Sequence, residues 1–323
     1  NGDDDYDAEG GDDIMLAGPG IERNAGAAGF DWSSYEFDEL PADADLELKL
    51  LGVPLPVDVL RDRHAEVEAL SGGSRNDILR GDSVVPRTAV AEGFSGSNWL
   101  DADSVKRIRG LEALLPAGAT SGTAVWGEGN IILGGGGNDT IEGRGADDIL
   151  DGDKELRVRL SVRTNAADAA TEIGSATALA KPYLAGSTET LQQAVFAGKV
   201  DPGNIVVVRE IVDSASPGNA DVAVFSDISS NYTITTTPAG AQPGAAGSIT
   251  TVTHNVADGD DAALTGDGTD TLRNIERLVF ADTQVPAAPT GVTATGGNAS
   301  ATVGWFAPAG SSITGFEVRI LNA

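Results

Sequence analysis

Gly134-Gly135-Gly136-Gly137-Asn138-Asp139-Thr140-Ile141-Glu142 runs directly into Gly143-Arg144-Gly145-Ala146-Asp147-Asp148-Ile149-Leu150-Asp151. Asp139 and Asp148 are nine residues apart, and so are Ile141 and Leu150. This is the G-G-x-G-x-D-x-U-x nonapeptide, where U is a large apolar residue. Its first six residues make a turn whose glycines permit left-handed backbone angles and bring carbonyls to close range. The aspartate adds a carboxylate. The last three residues form a short strand that points U into a thin core. Two units complete a coil of a parallel β-roll, so residues 18 apart stack on one side.

The same register extends outward. Nine residues before Asp139 stands Asn130, with Ile132 at the apolar position, and Asn130 with Asp148 forms an 18-residue pair able to grip one cation. Gly2 and Gly11, Asp4 and Asp13, and Tyr6 and Met15 repeat the interval near the start. A single unit fits at Gly72-Gly73-Ser74-Arg75-Asn76-Asp77-Ile78-Leu79-Arg80, and another at Gly268, Asp270 and Leu272. The candidate metal-binding residues are therefore Asn130, Gly135, Gly137, Asp139, Gly145 and Asp148. Gly2, Asp4, Gly11, Asp13, Asp77 and Asp270 follow. Glu22 has the right distance from Asp4, but Glu is off-pattern and Pro19-Gly20 disturbs the repeat, so Glu22 is left out.

Composition agrees with this reading. Asp and Glu number 49 against 21 Lys and Arg, a net charge of −28, which opposes binding to nucleic acid or an anionic membrane. So many carboxylates in one fold repel each other, and Ca²⁺, which prefers carboxylate and carbonyl oxygen, relieves that repulsion. There is no cysteine, hence no disulfide or thiolate site. No apolar run is long enough to span a bilayer. Opening in mid-repeat at Asn1-Gly2-Asp3-Asp4-Asp5 suggests a piece of a longer polypeptide.

The repeats resemble those of the RTX (repeats-in-toxin) family of calcium-dependent, type I-secreted bacterial proteins. The resemblance implies a secreted or cell-surface location, several Ca²⁺ ions, and a chain that folds on binding them. Asp12-Asp13-Ile14-Met15-Leu16-Ala17, Gly129-Asn130-Ile131-Ile132-Leu133-Gly134 and Asp270-Thr271-Leu272-Arg273-Asn274-Ile275-Glu276 are further similar, in their order, to the RTX region of very large bacterial proteins carrying animal-type haem peroxidase domains. That implies a peroxidase-associated parent, with no catalytic site in this segment. A spacer in a surface adhesin or matrix protein is the alternative, with cell-surface or matrix components as partners.

The expected fold is mainly β. Residues 1–153 form an interrupted β-roll with helical insertions at 31–71 and 83–121. Residues 154–284 form an α+β cap ending in an RTX-like closing element. Residues 285–323 look like the first strands of a fibronectin type III sandwich. Val57, Leu60, Val67 and Leu70 space as one helical face, and Val105, Ile108, Leu111 and Leu115 as another over 103–115. Lys106, Arg107 and Arg109 fit a solvated helix face balancing nearby acids. His64 and His254 lack a catalytic partner pattern and suit surface or packing roles. Strands are expected at 155–162, 205–208, 222–225, 232–236 and 248–253, and a short helix at 188–197.

Overall fold

A computed structural model describes residues 3–48, 61–88, 98–116, 125–215, 218–256, 266–283, 290–297 and 300–306. The chain divides into two compact units, 1–280 and 281–323. It is mainly β, in several sheets whose pairings are mostly parallel.

The strands of the first unit are short and follow one another like rungs. They begin with β1 (Asp5–Asp7), β2 (Ile14–Leu16), β3 (Arg23–Ala25), β4 (Trp32–Ser34), β5 (Asp43–Asp45), β6 (Arg63–Ala65), β7 (Ala69–Ser71) and β8 (Ile78–Arg80). After helix α1 (Ala102–Arg107) come β9 (Ile131–Leu133), β10 (Thr140–Glu142) and β11 (Ile149–Asp151). Then follow β12 (Lys154–Arg163), β13 (Glu172–Ala176), helix α2 (Leu191–Phe196), β14 (Ile205–Asp213), β15 (Val222–Val224), β16 (Tyr232–Thr237), β17 (Ile249–His254), β18 (Thr269–Arg273) and β19 (Arg277–Val279).

Successive strands alternate between sheets. One sheet has the order β16-β17-β18-β11-β9-β7-β4-β2, a second β19-β15-β10-β8-β5, and a third β1-β3-β6. Within the first, β2 to β11 and the β11–β18 pair are parallel, with Ile149 opposite Ile131 and Thr271 opposite Ile149. Side chains alternate across each strand. The central residues Met15, Leu70, Leu79, Ile132, Ile141, Leu150 and Leu272 meet in one core. The flanking residues Trp32, Ala69, Ile131, Leu133 and Ile149 point the other way. They are covered by Leu100, Val105, Ile108, Leu111, Leu114 and Leu156 in a second core.

Several sequence expectations change here. The described part of 31–71 carries β4 to β7, not a helix. Val57 and Leu60 lie outside the described residues, while Val67 and Leu70 both enter the first core from a corner and a strand. Over 103–115 only α1 is α-helical, capped by the Asp101 carboxylate. The chain then extends at Ile108 and turns at Gly110 (φ 88°) into a 3₁₀ turn at Leu111–Ala113. The spacing of its apolar residues still served burial, because all four join the second core. Lys106, Arg107 and Arg109 pair with Asp103, Asp12 and Glu210.

Residues 154–215 form an antiparallel sheet, β13-β12-β14, with its own small core of Val162, Ala176, Leu191 and Ala194. Helix α2 starts at a Thr190–Gln193 capping box, a few residues inside the expected range. Residues 1–280 form one compact unit. In the second unit, β20 (Thr290–Gly297) and β21 (Ser300–Phe306) pair as an antiparallel hairpin. Among the described residues no helix is long and apolar enough to cross a membrane.

Candidate functional site: a ladder of buried carboxylates

Almost every short strand is entered from an acidic or amide residue. Asp4 precedes β1, Asp13 β2, Glu22 β3, Asp31 β4, Asp62 β6, Glu68 β7, Asp77 β8, Asn130 β9, Asp139 β10, Asp148 β11, Asp221 β15 and Glu276 β19. Asp270 holds the equivalent place in β18, one residue before the partner of Ile149. Ala42, before β5, is the exception among the described residues.

These side chains form a ladder across the stacked turns. Asp31, Asp62, Glu68, Asp139, Asp148, Asp221, Asp270 and Glu276 each accept the backbone N–H of a counterpart in the adjacent coil. In the first sheet, Asp13 N donates to Asp31 Oδ1 at 2.8 Å, Asp31 N to Glu68 Oε2 at 2.8 Å, Asn130 N to Asp148 Oδ1 at 2.6 Å, and Asp148 N to Asp270 Oδ1 at 2.9 Å. In the second, Asp77 N donates to Asp139 Oδ1 at 2.7 Å, Asp139 N to Asp221 Oδ1 at 2.7 Å, and Asp221 N to Glu276 Oε2 at 2.8 Å. In the third, Glu22 N donates to Asp62 Oδ1 at 2.8 Å. In Asp31, Asp139 and Asp148 one carboxylate oxygen is thus spent on the fold.

The other oxygen is what remains for chemistry. Asp31 Oδ2, Asp139 Oδ2, Asp148 Oδ2 and Asp151 Oδ2 are buried without a hydrogen-bond partner. Desolvation raises the pKa of each of these groups against the lowering pull of the backbone N–H it accepts, and like-charged neighbours add to the rise at Asp31, Asp139 and Asp148. Asp31 and Asp139 are pushed up to about 7, Asp221 to about 8 and Asp77 to about 6. Asp148, Asp270 and Glu68 are held well above the usual carboxylate range by burial, with carboxylates close by. Such a column stays buried only with a proton or a cation for company.

Backbone oxygens converge on the same spots. A methyl group added at Gly134 would stand 2.6 Å from the Gly152 carbonyl oxygen and 2.7 Å from Asp139 Oδ2. The turns close so tightly that carbonyl and carboxylate oxygens share one lining. That hard-oxygen donor set suits Ca²⁺. Among the described residues no three Asp, Glu or His groups already form a metal-ligating cluster, so any ion here draws on carbonyls as well as carboxylates.

The residues expected from the sequence are placed as follows. Asn130, Asp139, Asp148 and Asp270 are ladder residues, with Asn130 and Asp148 in direct contact as their spacing required. Asp77 accepts from both Ala42 N and Gly73 N at 2.8 Å, so both its oxygens are occupied. Gly135 (φ 95°) and Gly137 (φ 144°) stack on the carbonyls of Gly73 and Arg75. Gly145 packs on Ser83, away from the carboxylates. Gly11 (φ 125°) donates to the Ala28 carbonyl. Asp4 and Asp13 occupy the outer rungs, and Gly2 lies outside the described residues.

Glu22, set aside on sequence grounds, is a rung: Pro19-Gly20 shifts the loop but the strand returns to register with β1. Asp31, Glu68, Asp221 and Glu276 were also missed. Their signal is an acid placed just before a three-residue strand, a pattern obscured by insertions. Asp151, at the end of β11, was missed as well.

Comparison with protein-family models, with curated proteins and with solved structures finds no match.

Proposed function

We propose that residues 1–283 form a calcium-loaded β-roll of the RTX kind, a module that folds when it meets millimolar Ca²⁺ outside the cell and then serves as a rigid scaffold within a larger secreted or surface polypeptide. The observation that carries this reading is the set of buried, partnerless carboxylate oxygens on Asp31, Asp139 and Asp148, aligned by a backbone ladder. A fold that buries these charges among carbonyls is poor without a cation and good with one. Binding energy then becomes folding energy. In a calcium-poor compartment the same turns repel and the chain stays open, which suits export as an unfolded polypeptide.

The association with a peroxidase-bearing parent, and the fibronectin-like identity of 285–323, rest on sequence resemblance. A spacer role in an adhesin uses the same calcium-dependent rigidity.

Circular dichroism of the chain in EDTA and then in Ca²⁺, with calorimetry of the ion, tests the proposal. Strand signal should rise with Ca²⁺, and Mg²⁺ should not replace it, because the smaller ion demands near-octahedral geometry. Unchanged strand content and no heat of binding would refute it.

A further inference from the structure

The inward-pointing position of each short strand is apolar almost throughout: Met15, Ala44, Leu70, Leu79, Ile132, Ile141, Leu150, Ala223 and Leu272 all occupy it in the first core. Two residues of ligand type break the rule on adjacent strands. Asn24 is central in β3 and His64 is central in β6, and the two are register partners. Glu22 and Asp62 lie two residues earlier on the same strands, hence on the same inward face. All four are buried, with Glu22 and His64 at 1% exposure, Asn24 at 0% and Asp62 at 7%.

The placement is compact. Neighbouring strands lie about 4.8 Å apart and alternate residues about 6.6 Å apart along a strand. Four ligand-bearing side chains therefore project from the corners of one small rectangle. Neither Glu22 carboxylate oxygen and neither amide atom of Asn24 has a hydrogen-bond partner of normal geometry, although the Asp62 carboxylate and the Gly18 and Glu22 backbone N–H groups stand beside the Glu22 carboxyl. The His64 Nδ1 faces the Asp45 carbonyl at 3.3 Å. Nε2 faces the Tyr35 hydroxyl at 3.4 Å, and that hydroxyl donates to Asp62 Oδ2 at 2.9 Å.

We infer that Glu22, Asn24, Asp62 and His64 form an interior site for a first-row divalent cation of the zinc class, at the Glu22–Asp62 rung of the third sheet. An imidazole nitrogen among oxygen donors favours such an ion, whereas Ca²⁺ takes oxygen alone. The side chains are not yet closed around one point, so binding draws Glu22 and His64 inward by side-chain rotation. Replacing two core positions by Asn and His costs apolar burial at both, and a bound ion offsets that loss by supplying what Glu22 and Asn24 lack. The inference does not rest on the calcium reading.

Co²⁺ is the probe, because its visible absorption reports a mixed nitrogen and oxygen environment. The whole chain, in excess Ca²⁺, is titrated with Co²⁺ by absorption and calorimetry. The expected result is a single equivalent displaced by Zn²⁺ and weakened at least about tenfold by His64→Leu and by Asn24→Leu. Both variants install the type of side chain that Leu79 and Leu272 place at the equivalent position, so strand content by circular dichroism should persist. Should either variant lose structure, Glu22→Gln, which keeps side-chain volume, must show the same weakening. Absence of uptake, uptake unchanged in the variants, or displacement of Co²⁺ by millimolar Ca²⁺ alone would overturn the inference and leave the gap as a water-filled polar pocket.

Discussion

Asn130 donates its backbone N–H to Asp148 Oδ1 at 2.6 Å across 18 residues of chain, while Asp148 Oδ2 stays buried with no donor. The two oxygens of one carboxylate therefore carry different tasks. Oδ1 registers one coil on the next, and Oδ2 has no donor to compensate a charge, so burial holds the carboxyl well above its usual range. Asp148→Asn keeps the acceptor and removes the charge. It should weaken Ca²⁺ binding, yet raise thermal stability in EDTA at pH 7.5. Asp148→Ala also strands the Asn130 N–H, which costs about 1–3 kcal/mol with or without the ion. Paired melts in EDTA and in Ca²⁺ separate the two. A fall in EDTA stability for the Asn variant would show that the charge is already compensated.

The pH dependence of the metal-free fold has a definite sign. Asp77, Asp31, Asp139 and Asp221 titrate in the fold near 6, 7, 7 and 8, raised by burial, against about 4 in an unfolded chain. Between those limits the folded form holds protons that the unfolded form has released. Stability in EDTA is thus fully present below about pH 4 and is lost as pH rises through 6 to 8. Saturating Ca²⁺ should flatten that slope, because the ion takes the place of the protons, and its binding should release them. Urea melts from pH 5 to 8, with calorimetry in buffers of different ionisation heat, check both effects. A metal-free fold that gains stability toward pH 8 would contradict the assignment.

Gly134 is a steric requirement of its turn. A methyl at Gly134 meets the Gly152 carbonyl oxygen at 2.6 Å and Asp139 Oδ2 at 2.7 Å, both fixed by the ladder. Gly134→Ala should cost roughly 1–3 kcal/mol, as overpacking of a close contact does. Gly18, one place further along its own turn, has open space around an added methyl, so Gly18→Ala should stay within about 0.5 kcal/mol. Denaturant melts in Ca²⁺ compare them, and equal effects would discount the stacking contact.

Legibility in the sequence followed the unbroken repeats. Residues 134–151 show two intact units, and their strands, stacked turns and the Asn130–Asp148 pair are found where the ninefold interval puts them. Elsewhere the interval is broken by long excursions. Asp221 accepts from Asp139 N across 82 residues, so no local count finds it. Glu68 and Glu276 replace Asp, and the longer arm still reaches the neighbouring N–H. The helical reading of 57–70 failed because Val67 and Leu70 flank a corner, where a spacing of three arises without a helix. Asn24 gives no signal in the sequence and His64 suits a surface or packing role there, because only the register sets the two side by side.

The excursions themselves begin at one repeated point. Gly81-Asp82 breaks off and the register resumes at Gly127-Glu128-Gly129-Asn130, and Gly152-Asp153 breaks off and resumes at Gly218-Asn219-Ala220-Asp221. Joined directly, Gly152-Asp153-Gly218-Asn219-Ala220-Asp221-Val222-Ala223-Val224 is itself a nine-residue unit, with Asp221 at the rung and Ala223 inward beside Ile141. The β13-β12-β14 sheet and α2 therefore hang from a single turn as an inserted body with its own core. Deleting 154–217 should leave a chain that still gains strand signal on adding Ca²⁺. Its midpoint should fall, because Leu156, buried in the second core, and the Leu156 N to Ser71 Oγ bond at 2.9 Å go with the deletion. Losing a fully buried leucine alone costs about 2–5 kcal/mol. A shortened chain that stays unfolded in ample Ca²⁺, under conditions where the whole chain is folded, would mean that the inserted sheet is part of the stack's folding unit and not an appendage to it.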